Sequence, residues 1–143
     1  VQKTRDNVIW IDKMVTKEEI IQLYSHADVF CCPSIYEPFG IINIEAMACD
    51  TAVVASAVGG IKEVVVDGET GILVPVEQQN TAPFEPVNPD KFAKDLANGI
   101  NKLIDNPELR NSMAEKGRKR VEEYFDWTSI AKQTKELYQS LKK

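Results

Sequence analysis

The apolar positions of this 143-residue chain fall into two alternating patterns. Short apolar runs at Val8–Ile11, Asp28–Cys32, Ala52–Ser56 and Gly71–Val74 have the length of strands buried on both faces of a parallel sheet. Between and after them, apolar residues recur at helical spacing. Thr16-Lys17-Glu18-Glu19 is a capping-box sequence, and the helix it opens is predicted to bury Ile20, Leu23, Tyr24 and Ala27. A second helix is predicted over Ile41–Cys49 and a short third one after Gly59-Gly60. Residues 76–89 carry Pro83, Pro86 and Pro89 and read as an irregular segment, of a length that is often functional in compact domains. Asn88-Pro89 and Asn106-Pro107 each place a cap residue before a proline at the first helical position. The helices they start bury Phe92, Leu96, Ile100 and Leu103, then Leu109, Met113 and Val121. Asp126 opens a last helix with Trp127, Ile130, Thr134, Leu137 and Leu141 on one side. This order predicts an α/β fold, a partial doubly wound parallel sheet with C-terminal helices, as one domain over 1–143.

Composition narrows the function classes. With 43% hydrophobic and 27% charged residues the chain can build a core of its own. A formal net charge of −5 argues against a nucleic-acid surface, which needs clustered Lys and Arg. The one basic run, residues 116–120, sits among Glu115, Glu122 and Glu123 and reads as a solvated helix face. No apolar run approaches the length of a membrane span. Cys31 and Cys32 are neighbours on a strand and so point to opposite faces, and a single histidine makes a zinc site a poor fit. His26 reads as a surface or structural residue. Reduced thiols point to a cytoplasmic protein, and no metal or cofactor is expected.

The chemistry-bearing stretch is Glu37-Pro38-Phe39-Gly40-Ile41-Ile42-Asn43-Ile44-Glu45. It follows a strand that stops at Pro33, and it carries one carboxylate on the loop and a second one turn into the next helix. A helix N-terminus offers unpaired N–H groups and the positive end of the helix dipole to an anion. A glutamate near that end can accept two hydrogen bonds from a vicinal diol. These features suit a sugar nucleotide: diphosphate at the helix end, ribose on Glu45 and hexose hydroxyls near Glu37. The spacing alone also fits two solvated glutamates around an ordinary strand–helix joint. Gly59 and Gly60 follow the third predicted strand, and their missing side chains would let a phosphate or sugar approach the backbone, although a tight turn into a helix explains them equally. All these positions lie at C-terminal strand ends, where open parallel sheets bind ligands. No Gly-x-Gly-x-x-Gly occurs.

With Cys32-Pro33-Ser34-Ile35-Tyr36 before it and Ala46-Met47-Ala48 after it, the Glu-x7-Glu stretch resembles the retaining glycosyltransferases of the GT-B family that contains bacterial glycogen and sucrose synthases. Residues 51–56, 58–65 and 67–75 fit the same family in order. Residues 8–14 and 125–131 are similar to its actinobacterial-type glycogen synthases in particular. Asp50 and Lys62 depart from the family, standing where it usually has glycine and proline. At a helix C-terminus Asp50 would face the unfavourable end of the dipole.

The resemblance implies transfer of a hexosyl unit, with retention, from a nucleotide sugar such as ADP-glucose or UDP-glucose to an α-glucan. Glu37 would orient and polarise the donor sugar. The amides of Phe39, Gly40, Ile41 and Ile42 would take phosphate oxygens and the sugar, and Glu45 the ribose. Asp12, Lys13 and Met14 would border the base. The chain would then be the later part of a second lobe, truncated on its N-terminal side, with the acceptor site and the phosphate-binding Arg and Lys outside it. In that fold's strand order, 3-2-1-4-5-6, Val8–Ile11 is the third strand. The runs at Asp28–Cys32, Ala52–Ser56 and Gly71–Val74 should therefore lie side by side and parallel, with one apolar edge unpaired, and Val8–Ile11 should either stand apart, held by its capping-box helix, or re-pair against that edge. Other transferases of the family (sucrose, trehalose or cell-wall mannosyl types), a sugar-nucleotide epimerase, and an inactive binding fragment remain as alternatives.

Overall fold

A computed structural model of the protein describes residues 5–142; the first residues of the polar lead-in that starts at Val1 lie outside the described residues. Strands β1 (Val29–Cys32), β2 (Ala52–Ser56) and β3 (Gly71–Val74) form one parallel sheet in the order β1-β2-β3. The helices are α1 (Lys17–His26), α2 (Ile41–Ala48), α3 (Ile61–Val64), α4 (Pro89–Ile104), α5 (Pro107–Tyr124) and α6 (Trp127–Ser140). Strand alternation divides the core in two. On one face Phe30, Cys32, Val53, Ala55 and Leu73 meet Met47 of α2 and Ile61 and Val64 of α3. On the other, Val29, Cys31, Val54, Ile72 and Val74 meet Leu96 and Leu103 of α4 and Met113 of α5. Cys31 and Cys32 thus take opposite faces as expected, and burial pushes the Cys31 thiol above its ordinary value. All five residues of β2 are buried, which is why its run is apolar without alternation.

The caps follow the sequence closely. Thr16 Oγ1 accepts from Glu19 N–H (3.2 Å) while a Glu19 carboxylate oxygen accepts from Thr16 N–H (2.7 Å). Asn88, Asn106 and Asp126 cap α4, α5 and α6 with their side chains. Asp50 supplies the end of α2 by a different route from a dipole contact. It adopts φ 57°, and the Thr51 and Asp50 amides donate back to Ala46 O and Met47 O (3.1 Å each). That pair of bonds is the Schellman closure, which needs a left-handed residue and explains why glycine suits the position. The Asp50 carboxylate is answered by Arg118 of α5 at 2.7 Å.

Four expectations are corrected. Val8–Ile11 is not a strand: Val8 N–H donates to Arg5 O in a turn, and Ile9 and Trp10 are 84% and 70% exposed. A strand exists only through a neighbour's hydrogen bonds, and an apolar run does not reveal whether that neighbour is there. For the same reason α1 buries no residue; Ile20 and Tyr24 are half-buried, while Leu23 and Ala27 are exposed. The apolar side of α6 likewise lies open, with Trp127 84% and Leu141 70% exposed. Finally, the basic run is not solvated throughout, because Arg120 is half-buried against backbone carbonyls.

Residues after β1 and after β2 are laid directly on one another. Gly60 N–H donates to Glu37 O at 3.0 Å. A Cβ on Gly59 would fall 2.0 Å from Glu37 O, and one on Gly60 would fall 2.5 Å from both Phe39 Cα and Pro38 O. Gly60 has an ordinary φ of −71°, so only space excludes a side chain there.

Two stability measurements test these readings. Asp50→Ala and Asp50→Gly remove the Arg118 partner equally, so their difference isolates the backbone; the alanine variant should be less stable by about 1–2 kcal/mol in urea unfolding, and equal stabilities would refute a left-handed requirement. Gly60→Ala should cost about 1–3 kcal/mol by overpacking, and an unchanged midpoint would mean that the two loops are not in contact.

Candidate functional site

The site is built where β1 and β2 end. Ser56, the last residue of β2, donates its hydroxyl to Ser34 O, and so ties the start of the β1–α2 loop to the sheet. From Ser34 the chain runs to Gly40, the residue before α2, which takes φ 102° with ψ 39°. A side chain at Gly40 would meet Asn43 Nδ2 at 3.1 Å and Ile61 of α3 at 3.5 Å. The loop is therefore pressed between α2 and the start of α3.

Glu37 is half-buried, and its Oε1 accepts from Gly40 N–H at 3.1 Å. The carboxylate consequently lies against the positive end of α2. This engages the Gly40 amide within the chain, whereas the amides of Ile41 and Ile42 lead the helix and have no intrahelical acceptor. Those two side chains, and Phe39, are exposed, so this helix end faces solvent. Glu45 is exposed on α2, on the side that meets α1. Burial pushes the Tyr24 hydroxyl above its ordinary value, and the charge of Glu45 pushes it further. The structure thus gathers Glu37, Phe39, Gly40, Ile41, Ile42, Gly59 and Gly60 into one loop pair, with Glu45 one turn further along α2.

Asp12, Lys13 and Met14 belong to another group. They are exposed ahead of α1, where Lys13 pairs with Glu19 at 3.5 Å. No described contact joins them to Glu37 or Glu45. Lys13 also edges a groove of about 690 Å³ along α1, with Ile11, Val15 and Leu23. That groove and one of about 710 Å³ along α6 exceed the 390 Å³ hollow bordered by Phe39, Ile41 and Phe125. Size does not decide between them. The larger grooves are apolar flanks of helices, and neither is lined by the start of α2, by Glu37 or by Glu45.

The Gly59-Gly60 pair has a use that the sequence left open. Its missing side chains admit the backbone of Glu37, Pro38 and Phe39. Three other residues escaped the sequence reading. Asn43 is fully buried in the first turn of α2, with Nδ2 donating to Cys32 Sγ at 3.7 Å and Oδ1 without a partner among the described residues. Gln78, in the irregular segment, donates to Ile35 O at 2.6 Å and Phe84 O at 2.8 Å, strapping that segment to the β1–α2 loop. Arg120 reaches α3 from α5. Each acts through long-range contacts with main-chain or buried partners, which leave no local spacing signal. Among the described residues no group of three His, Cys, Asp or Glu side chains is placed to hold a metal ion, and no helix is long and apolar enough to cross a membrane.

Known proteins share this arrangement of chain and sheet. Alpha-maltose-1-phosphate synthase of Mycolicibacterium smegmatis is 44% identical over 139 residues, which are 97% of this chain and 34% of that protein. Sucrose-phosphate synthase from Thermosynechococcus elongatus superposes with a TM-score of 0.76 at 40% identity, over 95% of this chain and 30% of that one. The Anabaena protein HepE, solved in complex with UDP-glucose, gives a TM-score of 0.68 at 31% identity over 86% of this chain and 30% of that one. The chain therefore spans about a third of the length of the curated relatives it matches. The three-stranded sheet with its helices corresponds to part of a GT-B Rossmann-like lobe. Residues 2–83, more than half of the chain and including every residue from Glu37 to Gly60, match the family described as glycosyl transferases group 1, and the chain belongs to that family.

Proposed function

We propose that this chain is a nucleotide-sugar-binding domain over 1–143, the donor side of a glycogen-synthase-like enzyme that transfers glucose from ADP-glucose or UDP-glucose to an α-glucan with retention. The observation that carries the reading is the half-buried Glu37 carboxylate set against the N-terminus of α2, with Glu45 one turn beyond. The donor diphosphate would take the amides of Ile41 and Ile42, with Phe39 and Gly40 beside them, and the positive helix end would favour its charge. Glu45 would accept from the two ribose hydroxyls, and Asp12, Lys13 and Met14 would edge the base. Glu37, already oriented by Gly40 N–H, would accept from sugar hydroxyls and favour positive charge developing at the anomeric carbon. In the transfer the acceptor hydroxyl would give its proton to an oxygen of the departing diphosphate as its own oxygen bonds to that carbon. The nucleoside diphosphate leaves from the same face with the bonding electron pair. HepE, solved with UDP-glucose, supports the donor class, and three free thiols fit a cytoplasmic location. The acceptor and the basic groups that neutralise the leaving diphosphate would lie on parts of the protein outside these 143 residues. By itself the chain would bind donor weakly and transfer nothing.

The two glutamates separate the parts of this reading. In the full-length protein Glu45→Ala should weaken ADP or UDP binding by about one to two decades, the equivalent of one charge-assisted hydrogen bond of about 1.5–3 kcal/mol. Glu37→Ala should leave that affinity within about threefold and cut kcat far more, because its contacts are to the sugar. Calorimetry and steady-state kinetics on both variants decide the matter; unchanged diphosphate affinity in Glu45→Ala would remove the ribose assignment.

A further inference from the structure

Arg120 occupies a position that neither the acid pair nor the helix end accounts for. It stands on α5 in a basic run, yet its neighbours Arg118 and Lys119 are exposed and paired with Asp50, Glu122 and Glu115. Arg120 instead donates from Nε to Val64 O and from Nη2 to Glu63 O, both at 2.8 Å. These are carbonyls at the C-terminal end of α3, which a four-residue helix cannot satisfy internally. The same guanidinium lies 5.1 Å from the Tyr124 ring centroid and 5.6 Å from that of Phe125. Phe125 meets Phe39 edge-on, with centroids 6.1 Å apart at 70°.

One planar cation thus touches both supports of the Glu37–Gly40 loop. Through α3 it fixes the segment whose Gly60 N–H holds Glu37 O. Through Phe125 it fixes the ring against Phe39, the residue before the left-handed Gly40. We infer that Arg120 is a positioning residue for the donor loop, holding Phe39 and the Glu37–Gly40 turn in the geometry that receives the nucleotide diphosphate. The diphosphate part of this inference rests on the function proposed above; the loop-holding part does not. Lysine cannot replace it, because a single ammonium cannot bond both carbonyls while stacking on two rings.

The test uses the full-length protein with Arg120→Met, Arg120→Lys and Phe125→Leu, each alone and combined with Phe39→Ala. Hydrogen exchange is read at the Gly40 and Gly60 amides, and affinity for ADP and UDP by calorimetry. Exchange at both amides should rise about tenfold or more in Arg120→Met, reporting local opening. Diphosphate affinity should fall about tenfold when Phe39 is intact and no more than about twofold further in the Phe39→Ala background, the non-additivity expected of residues acting through one another. A merely structural role would give the same fold-loss in both backgrounds, and that result overturns the inference. Should Arg120→Met fail to fold, Phe125→Leu keeps the carbonyl bonds and removes only the ring contact; unchanged exchange at Gly40 there overturns it as well. Raised exchange at both amides, with no diphosphate binding by the unmutated protein, would uphold the loop-holding role and refute the nucleotide-sugar reading instead.

Discussion

The contact of Gly59 and Gly60 with the backbone of Glu37, Pro38 and Phe39 is the constraint on which the rest of the site depends. Two loops at the ends of adjacent parallel strands approach so closely that no Cβ fits between them, and one main-chain hydrogen bond, Gly60 N–H to Glu37 O, fixes their register. Since the half-buried β1 is locked by its ladder to the fully buried β2, these loops inherit the sheet's rigidity. A carboxylate on a free loop would move away from a helix dipole it cannot follow. Here the Glu37 side chain returns to Gly40 N–H within its own turn, and the helix end it faces is held from beneath by Ile61. Charge, helix end and exposed amides are brought together before any ligand arrives, which is the preorganisation that binding and electrostatic catalysis both require.

Helix α5 braces this arrangement from outside the sheet. Arg118 answers Asp50 at the end of α2, and Arg120 reaches the end of α3, two residues away on the same helix. Both helices that flank the loop pair are therefore tied to one element at their C-terminal ends, while their N-terminal ends face the site. The Arg118–Asp50 pair is exposed, so it fixes geometry more than it adds stability. Arg120 bonds two main-chain carbonyls, of which Val64 O is partly buried, and leaving a buried carbonyl unsatisfied has a definite cost.

Much of this was legible in the sequence, for reasons that are local. The three observed strands, the capping box at Thr16, the asparagine–proline helix starts and the opposed faces of Cys31 and Cys32 all follow from short-range periodicity and cap chemistry. The Glu37–Glu45 spacing marked the loop and helix end as well. What failed required knowledge of a partner. Val8–Ile11 has a strand's composition and no neighbouring ladder among the described residues, and the apolar faces of α1 and α6 are covered only in part there. Asp50 looked misplaced because its left-handed φ was invisible in composition. Arg120 lay within a charge run that reads as solvated, and only its tertiary contacts, 56 and 57 positions away in sequence, set it apart.

The paired loops and the start of α2 are the proposed binding site for the nucleotide diphosphate. Amide chemical shifts of the full-length protein, followed while ADP or UDP is titrated in, test this most directly. Shifts concentrated at Phe39 to Ile42, Glu45 and Gly60 are the predicted result. Shifts confined to the groove along α1 or to the open face of α6, with residues 37–45 unmoved, would contradict it.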